Sequence, residues 1–474
     1  MLQDWLILFP ELALLGFLLA AWLINRYRTV NTAKTFFTLS KYFLLAAMLG
    51  TVVFYNKSAF PALWVNTPYS TLFKIVIYLL ALAWYYLSSK WFLAKNKSSY
   101  PFYNLVMLAL LALELLISAA SLLLPLLLVP LLCWINWRLL RLYADPDEIK
   151  VMSRLYAFLS WLFMLLLAGG IILIGHRAGT FDCAGVYAYF QNHEIVALAD
   201  YAAIGMVLAS LLFMLAIAPF HSWYIGVLTY AILPVCGFLT LIPPFAHLSC
   251  LINLISNVFG EAGGFMRLVL IIFAAFSLFV GALSANGASN IRRLFGFSTV
   301  YHLGFMLFSI VSFNHGGMLS AFAYMMIYLL AMAGIYTVFL GLKSRGDYLT
   351  GLEDIDGLSN AKPYLSAAFL IFMISLTGTP PLLGFLGRLS VISNLVVDER
   401  WISVAVLLLS VLFMANAYLQ VIRTIYFEPM KHNFDRTDKA IYICLFINLV
   451  LVMISIINPT YLLQDAEMIL SGGF

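Results

Sequence analysis

Ser375-Leu-Thr-Gly-Thr-Pro-Pro-Leu-Leu-Gly-Phe-Leu-Gly-Arg388 interrupts an apolar run that begins near Pro363. Proline removes a backbone donor and frees a carbonyl about one turn back, so Pro380 and Pro381 break any helix that enters them. In lipid, backbone freed in this way survives only where protein or water satisfies it. The stretch therefore reads as an interrupted membrane helix carrying a cation, Arg388, at depth, which is where function is expected.

The rest of the chain fits that reading. Of its 474 residues 64% are hydrophobic and 10% charged, with a mean hydropathy of +0.99, whereas a soluble domain carries roughly 25% charge. The net charge of +5 is thus no sign of nucleic-acid binding. Membrane-length apolar stretches begin near Trp5, Phe36, Thr71, Phe102, Leu122, Leu155, Tyr201, Gly226, Phe265, Phe297, Leu319, Pro363, Trp401 and Ala440. A bilayer admits only helices or closed barrels, so the expected fold class is an all-α polytopic bundle of about fourteen transmembrane helices. Connections on alternate sides are rich in Lys and Arg, among them Arg26, Arg28 and Lys34, then Arg138, Arg141 and Lys150, then Lys431, Arg436 and Lys439. The positive-inside rule then puts both termini on the outer side. Asp145-Pro-Asp-Glu148 reads as the capped start of a short surface helix.

Two further segments break the rule of apolarity. Ala216-Ile-Ala-Pro-Phe-His-Ser-Trp223 ends an apolar run with Pro219 and His221, and Leu241-Ile-Pro-Pro-Phe-Ala-His247 places Pro243, Pro244 and His247 inside another. Proline kinks also serve as packing devices, but interruptions repeated in two halves of a membrane protein point to ion pathways. Five scattered cysteines without CxxC spacing argue against a metal site or a disulfide framework. No nucleotide loop, HExxH or nucleophile elbow is visible.

Several of these segments resemble one family. Asn290 to Phe305, with its basic pair, serine and His-Leu-Gly, looks like the family's tenth helix; Ser375 to Arg388 looks like its SLxGxPPxxGFxGK segment, and Pro219 to Trp223 like its PFHxW. Phe9-Pro-Glu-Leu12 and Gly351 to Gly357 fit as well. The family is the antiporter-like (Mrp-type) membrane subunits of respiratory complex I and of multisubunit Na+/H+ antiporters, and the compact length favours its subunit N branch, subunit 2 in mitochondria. The resemblance implies two inverted five-helix repeats with broken helices 7 and 12, divided as residues 1–98 (three N-terminal helices), 99–260, 261–430 and 431–474. It implies a membrane-arm subunit that contributes to, or structurally supports, proton translocation coupled to quinone reduction by an NADH:quinone oxidoreductase in a bacterial inner or mitochondrial inner membrane. Flavin, iron–sulfur and quinone sites are then expected on partner subunits, with no cofactor, metal or nucleic acid on this chain. The partners implied are sister antiporter-like subunits, small helical subunits and lipid.

The family's usual proton path uses a helix-five glutamate and lysines in helices seven, eight and twelve, since a desolvated lysine can release its proton near neutral pH. Here those positions fall on Pro130, Met214, Pro244 and Arg388, and the acids that follow PFHxW fall on Gly226 and Thr229. An arginine stays protonated, so Arg388 can serve only as a fixed charge. His302 matches a family histidine, and His247, three residues after Pro244, shares its helix face and can titrate near neutrality. Glu114, isolated in the fourth stretch, is a candidate displaced proton carrier or else a hydrogen-bonded wall residue; His221 carries protons or caps a broken helix. Lys74 and Arg267 lie toward span ends, where long stems are expected to snorkel. Two other functions remain open: a subunit of a redox-free Na+/H+ antiporter, and a stand-alone secondary transporter.

Overall fold

The computed structural model describes residues 6–27, 33–144, 147–192, 198–260, 263–431 and 433–457. Both chain ends, Arg28 and Asp145-Pro146 lie outside the described residues, and with them part of the sidedness pattern and the expected helix cap. In chain order the helices are α1 Phe9–Tyr27, α2 Ala33–Val53, α3 Pro68–Lys95, α4 Tyr100–Ile117, α5 Leu123–Leu140, α6 Asp147–Ala178, α7 Cys183–Asn192 and α8 Leu198–Met214. They continue as α9 Ser222–Tyr230, α10 Leu233–Leu241, α11 Pro243–Asn257, α12 Gly263–Asn286, α13 Ile291–Ile310 and α14 His315–Gly341. Last come α15 Leu358–Ala361, α16 Pro363–Thr377, α17 Leu383–Val397, α18 Trp401–Phe427 and α19 Lys439–Ile457. Among the described residues the only sheet is a small hairpin, Lys343–Ser344 against Asp347–Tyr348.

Among the described residues ten helical stretches are long and apolar enough to cross a membrane, and four shorter apolar helices join them. The chain is an all-α polytopic membrane protein with about fourteen apolar membrane-length helices. Two expectations shift. Asp147 and Glu148 do not begin a short surface helix; they open the 32-residue α6, their carboxylates lying at its positive end. The eighth span starts at Leu233 rather than Gly226, because Pro234 at the first turn sets a new helix start. Pro243 and Pro244 then occupy the first positions of α11, where a missing N–H breaks no helical bond.

The described residues fall into two compact units, one within Met1–Leu215 and Tyr230–Met266, the other within Ala216–Thr229 and Arg267–Met468. In the first, α10 and α11 are buried except toward the end of α11, where Asn253, Ser256 and Asn257 are half-buried. The second is centred on α13, where nearly every residue is buried. Other helices leave large apolar side chains outside, such as Leu19 and Trp22 of α1, Trp161 and Leu165 of α6, and Leu412 of α18, as a lipid-facing wall requires. Lipid tails give no hydrophobic drive for helix pairing, so close approach of backbones has to supply it. At Gly170 of α6 an added Cβ would lie 2.7 Å from the Ala203 carbonyl oxygen of α8, and at Gly281 of α12 2.7 Å from the Tyr301 nitrogen of α13.

Candidate functional site: two buried polar clusters

Each unit holds a buried polar cluster, around Arg388 and His302 in the second and around Lys74 and Glu114 in the first. In the second unit the helix of α16 stops at Thr377, and Gly378 adopts φ +75°, a left-handed C-terminal turn that favours glycine. The chain resumes as α17 at Leu383, one turn before Arg388. Arg388 is 5% exposed, and its Nη2 donates to the Leu376 carbonyl oxygen at 2.6 Å. The guanidinium thus sits at the negative end of α16, against one of the carbonyls that a helix terminus leaves open. Gly378 makes room for it, since a Cβ there would lie 2.5 Å from the Arg388 Cδ. The rings of Tyr301 and Phe305 lie 5.7 and 5.4 Å from the guanidinium carbon. Among the described residues Nε and Nη1 find no acceptor.

His302, in the middle of α13, is 1% exposed and neighbours the same Tyr301 ring. Its Nδ1 lies 2.8 Å from the Tyr324 hydroxyl of α14 and its Nε2 2.9 Å from the Tyr418 hydroxyl of α18. Tyr418 continues to the Ser298 hydroxyl at 2.5 Å. A neutral imidazole donates from one nitrogen and accepts at the other, and hydroxyls do both. This chain can therefore move a proton by exchanging donor and acceptor roles along it. The Leu215 to His221 interruption has its own support: the Ala218 N–H donates to the Ser277 hydroxyl at 3.0 Å. His221 is half-buried with its ring 6.1 Å from Phe297, and its Nδ1 has no partner among the described residues.

In the first unit the expectation for Lys74 is wrong. It does not snorkel: it is 1% exposed, donates to the Asn66 Oδ1 at 2.8 Å, and faces the Glu11 carboxylate at 3.6 Å. Asn66, in the loop before α3, is itself buried and is held by bonds to Ser58 and the Lys57 carbonyl oxygen. One turn along α3, the Tyr78 hydroxyl donates to Glu114 Oε2. Glu114 is fully buried, and Glu11 and Lys74 lie near enough to act on it electrostatically. In the second unit Arg267 is half-buried, donating to the Val311 carbonyl oxygen at 3.1 Å with its guanidinium over Phe313, whereas in the first the remaining candidate is His247. His247 is 1% exposed, and neither ring nitrogen has a partner among the described residues.

Pro130 lies inside α5, and one turn on the Cys133 sulfur meets the Met214 sulfur at 3.7 Å, both buried. Neither Pro130 nor Met214 supplies the acid or the lysine that the resemblance implies there, and Met214 only accepts a weak bond from the Cys133 thiol. Sequence reasoning missed Lys74, Glu11, Asn66, Tyr78, Tyr324 and Tyr418; the Phe9-Pro-Glu-Leu12 motif held the one available signal, for Glu11. Among the described residues no three His, Cys, Asp or Glu side chains gather as a metal site.

The model of a family described as "NADH:quinone oxidoreductase/Mrp antiporter, TM" matches residues 147–414. The chain is similar to the NADH-quinone oxidoreductase subunit N of Rhodospirillum rubrum, 28% identical over 92% of this chain and 91% of that protein. Subunit N of Thioalkalivibrio sulfidiphilus is 26% identical over 98% of each. Among solved structures, a chain of respiratory complex I from Thermus thermophilus matches with a TM-score of 0.81 and 23% identity, over 96% of this chain and 98% of that one. A chain of the Mrp complex from Dietzia sp. matches with a TM-score of 0.84 and 17% identity, over 99% and 97%. At these identities the structural matches speak for the fold.

Proposed function

Because the chain belongs to the NADH:quinone oxidoreductase/Mrp antiporter membrane-subunit family, we propose that it is a membrane-arm subunit of a complex I-type NADH:quinone oxidoreductase, contributing to proton translocation. The observation that carries this is similarity over almost the whole chain to proteins named subunit N. Redox chemistry belongs to partner subunits bearing flavin, iron–sulfur clusters and quinone; sister antiporter-like and small helical subunits flank the chain in a bacterial or mitochondrial inner membrane, with both of its termini on the outer side. Residues 99–260 and 261–430 are read as inverted five-helix repeats between the N-terminal helices (1–98) and the last helix (431–474). The breaks at 215–221 and 378–382 are then equivalent broken helices 7 and 12.

Within this reading protons cross the second repeat through Tyr324, His302, Tyr418 and Ser298, a buried hydroxyl–imidazole chain. Arg388 acts as a fixed positive charge beside it, in place of a lysine that could switch. His247 and Glu114 are the candidate proton carriers of the first repeat, and His221 lies at its broken helix. Likeness in fold to the Mrp chain favours a second reading, a subunit of a multisubunit Na+/H+ antiporter. Mass spectrometry of chains that co-purify after gentle solubilisation separates the two. A flavin- and iron–sulfur-bearing arm supports the oxidoreductase, and small antiporter subunits without that arm overturn it.

A further inference from the structure

Glu11, Lys74 and Glu114 form a cluster of which the proposed function uses only Glu114. Two carboxyls and one amine, if all ionised, would leave a net negative charge in the interior, and each buried ion costs several kcal/mol unless compensated. The cluster is therefore neutral when one carboxyl holds a proton. Lys74 faces Glu11 at 3.6 Å, so Glu11 is the carboxylate. Glu114 has only the Tyr78 hydroxyl, and its Oε1 is buried without a partner, as are both Glu11 oxygens outside the ion pair. Among the described residues no other titratable side chain bonds to the three.

A cavity of about 740 Å³ lies at the end of this unit, lined by Val65, Thr67, Tyr69, Ser118 and Asn253 among others. Ser118 belongs to both features: its hydroxyl lies 3.5 Å from Asn66 Oδ1, the atom that accepts from Lys74. We infer that Glu11, Lys74 and Glu114 hold one exchangeable proton, loaded from or released to the medium through the cavity beside Ser118 and Asn66. On release Lys74 first gives an ammonium proton to water from the cavity; the resulting amine takes the hydroxyl proton of Tyr78, one helical turn away, as the Glu114 O–H bond breaks and Tyr78 takes that proton. Lys74 ends as ammonium, Tyr78 as phenol, and Glu114 as carboxylate. The purpose, a store feeding translocation, rests on the proposed function; the site itself does not.

The test uses the resting, assembled complex without turnover, so it stands or falls apart from pumping. Infrared spectroscopy should show the carbonyl stretch of a protonated carboxylic acid that is lost in Glu114→Gln. That band should shift in heavy water, with exchange roughly tenfold slower in Ser118→Val, the factor matching loss of one hydrogen-bonded step. A band that persists in Glu114→Gln overturns the site, and unaltered exchange in Ser118→Val overturns the route. Should Glu114→Gln fail to assemble, dicyclohexylcarbodiimide, which adds to protonated carboxyls, decides on the wild type: an adduct mapped to Glu114 supports the inference, and its absence contradicts it.

Discussion

The Arg388 guanidinium donates to the Leu376 carbonyl oxygen across the break between α16 and α17, at 2.6 Å. It joins the end of one helix to the start of the next through a long-stemmed, charged donor. Arg388→Met should therefore lower the thermal stability of the purified complex by about 1.5–3 kcal/mol, the range for hydrogen bonds to charged groups. Arg388→Lys keeps one charged donor and should assemble. Loss of assembly on that exchange would assign the arginine a geometric role that one donor cannot fill.

Gly378 supports the same contact. Gly378→Ala places a Cβ at φ +75° and 2.5 Å from the Arg388 Cδ. The left-handed backbone alone costs about 1–2 kcal/mol, and the arginine stem must also move. Gly384→Ala is harsher, since its Cβ would lie 1.6 Å from the Ser375 carbonyl oxygen; the yield of assembled complex should fall in the order wild type, Gly378→Ala, Gly384→Ala.

Lys74 and Glu11 form a buried pair, and removing one partner leaves an uncompensated charge. Lys74→Met should destabilise by about 3–5 kcal/mol, and adding Glu11→Gln should restore much of it. Equal unfolding midpoints for the single and double variants would show that the pair is not energetically coupled.

Outside the spans, Lys362 donates to the Gly341 and Asp435 carbonyl oxygens at 3.0 and 2.6 Å and to the Thr437 hydroxyl at 2.6 Å. Burial outweighs the nearby Asp435 charge and pushes its amine down to about 8. The unfolded value is about 10.4, so between these limits the unfolded chain binds more protons and stability rises with pH. Thermal unfolding should show this rise from pH 8 to about 10.4 in the wild type and a flatter profile in Lys362→Met.

Much of this architecture was legible in the sequence, for a physical reason. A hydrocarbon layer demands long apolar runs, and Gly378, Pro380 and Pro381 announce where a helix cannot continue. The clusters were not legible, because their bonds join distant segments: Tyr418 reaches His302 across 116 residues, and Tyr78 reaches Glu114 across 36. Lys74 was misread because nearness to a span end says nothing about which face of the helix it occupies. The helix start at Leu233 was missed because apolar residues run through the turn that precedes it.

The central claim is that His302, held between Tyr324 and Tyr418, carries protons beside a charge that does not switch. Its most direct test is the ratio of protons translocated to electrons passed in proteoliposomes holding the complex with His302→Gln and His247→Leu together. Glutamine can keep hydrogen bonds to both tyrosines but cannot titrate. The account predicts a lower ratio than wild type in assembled complex; an unchanged ratio would contradict it.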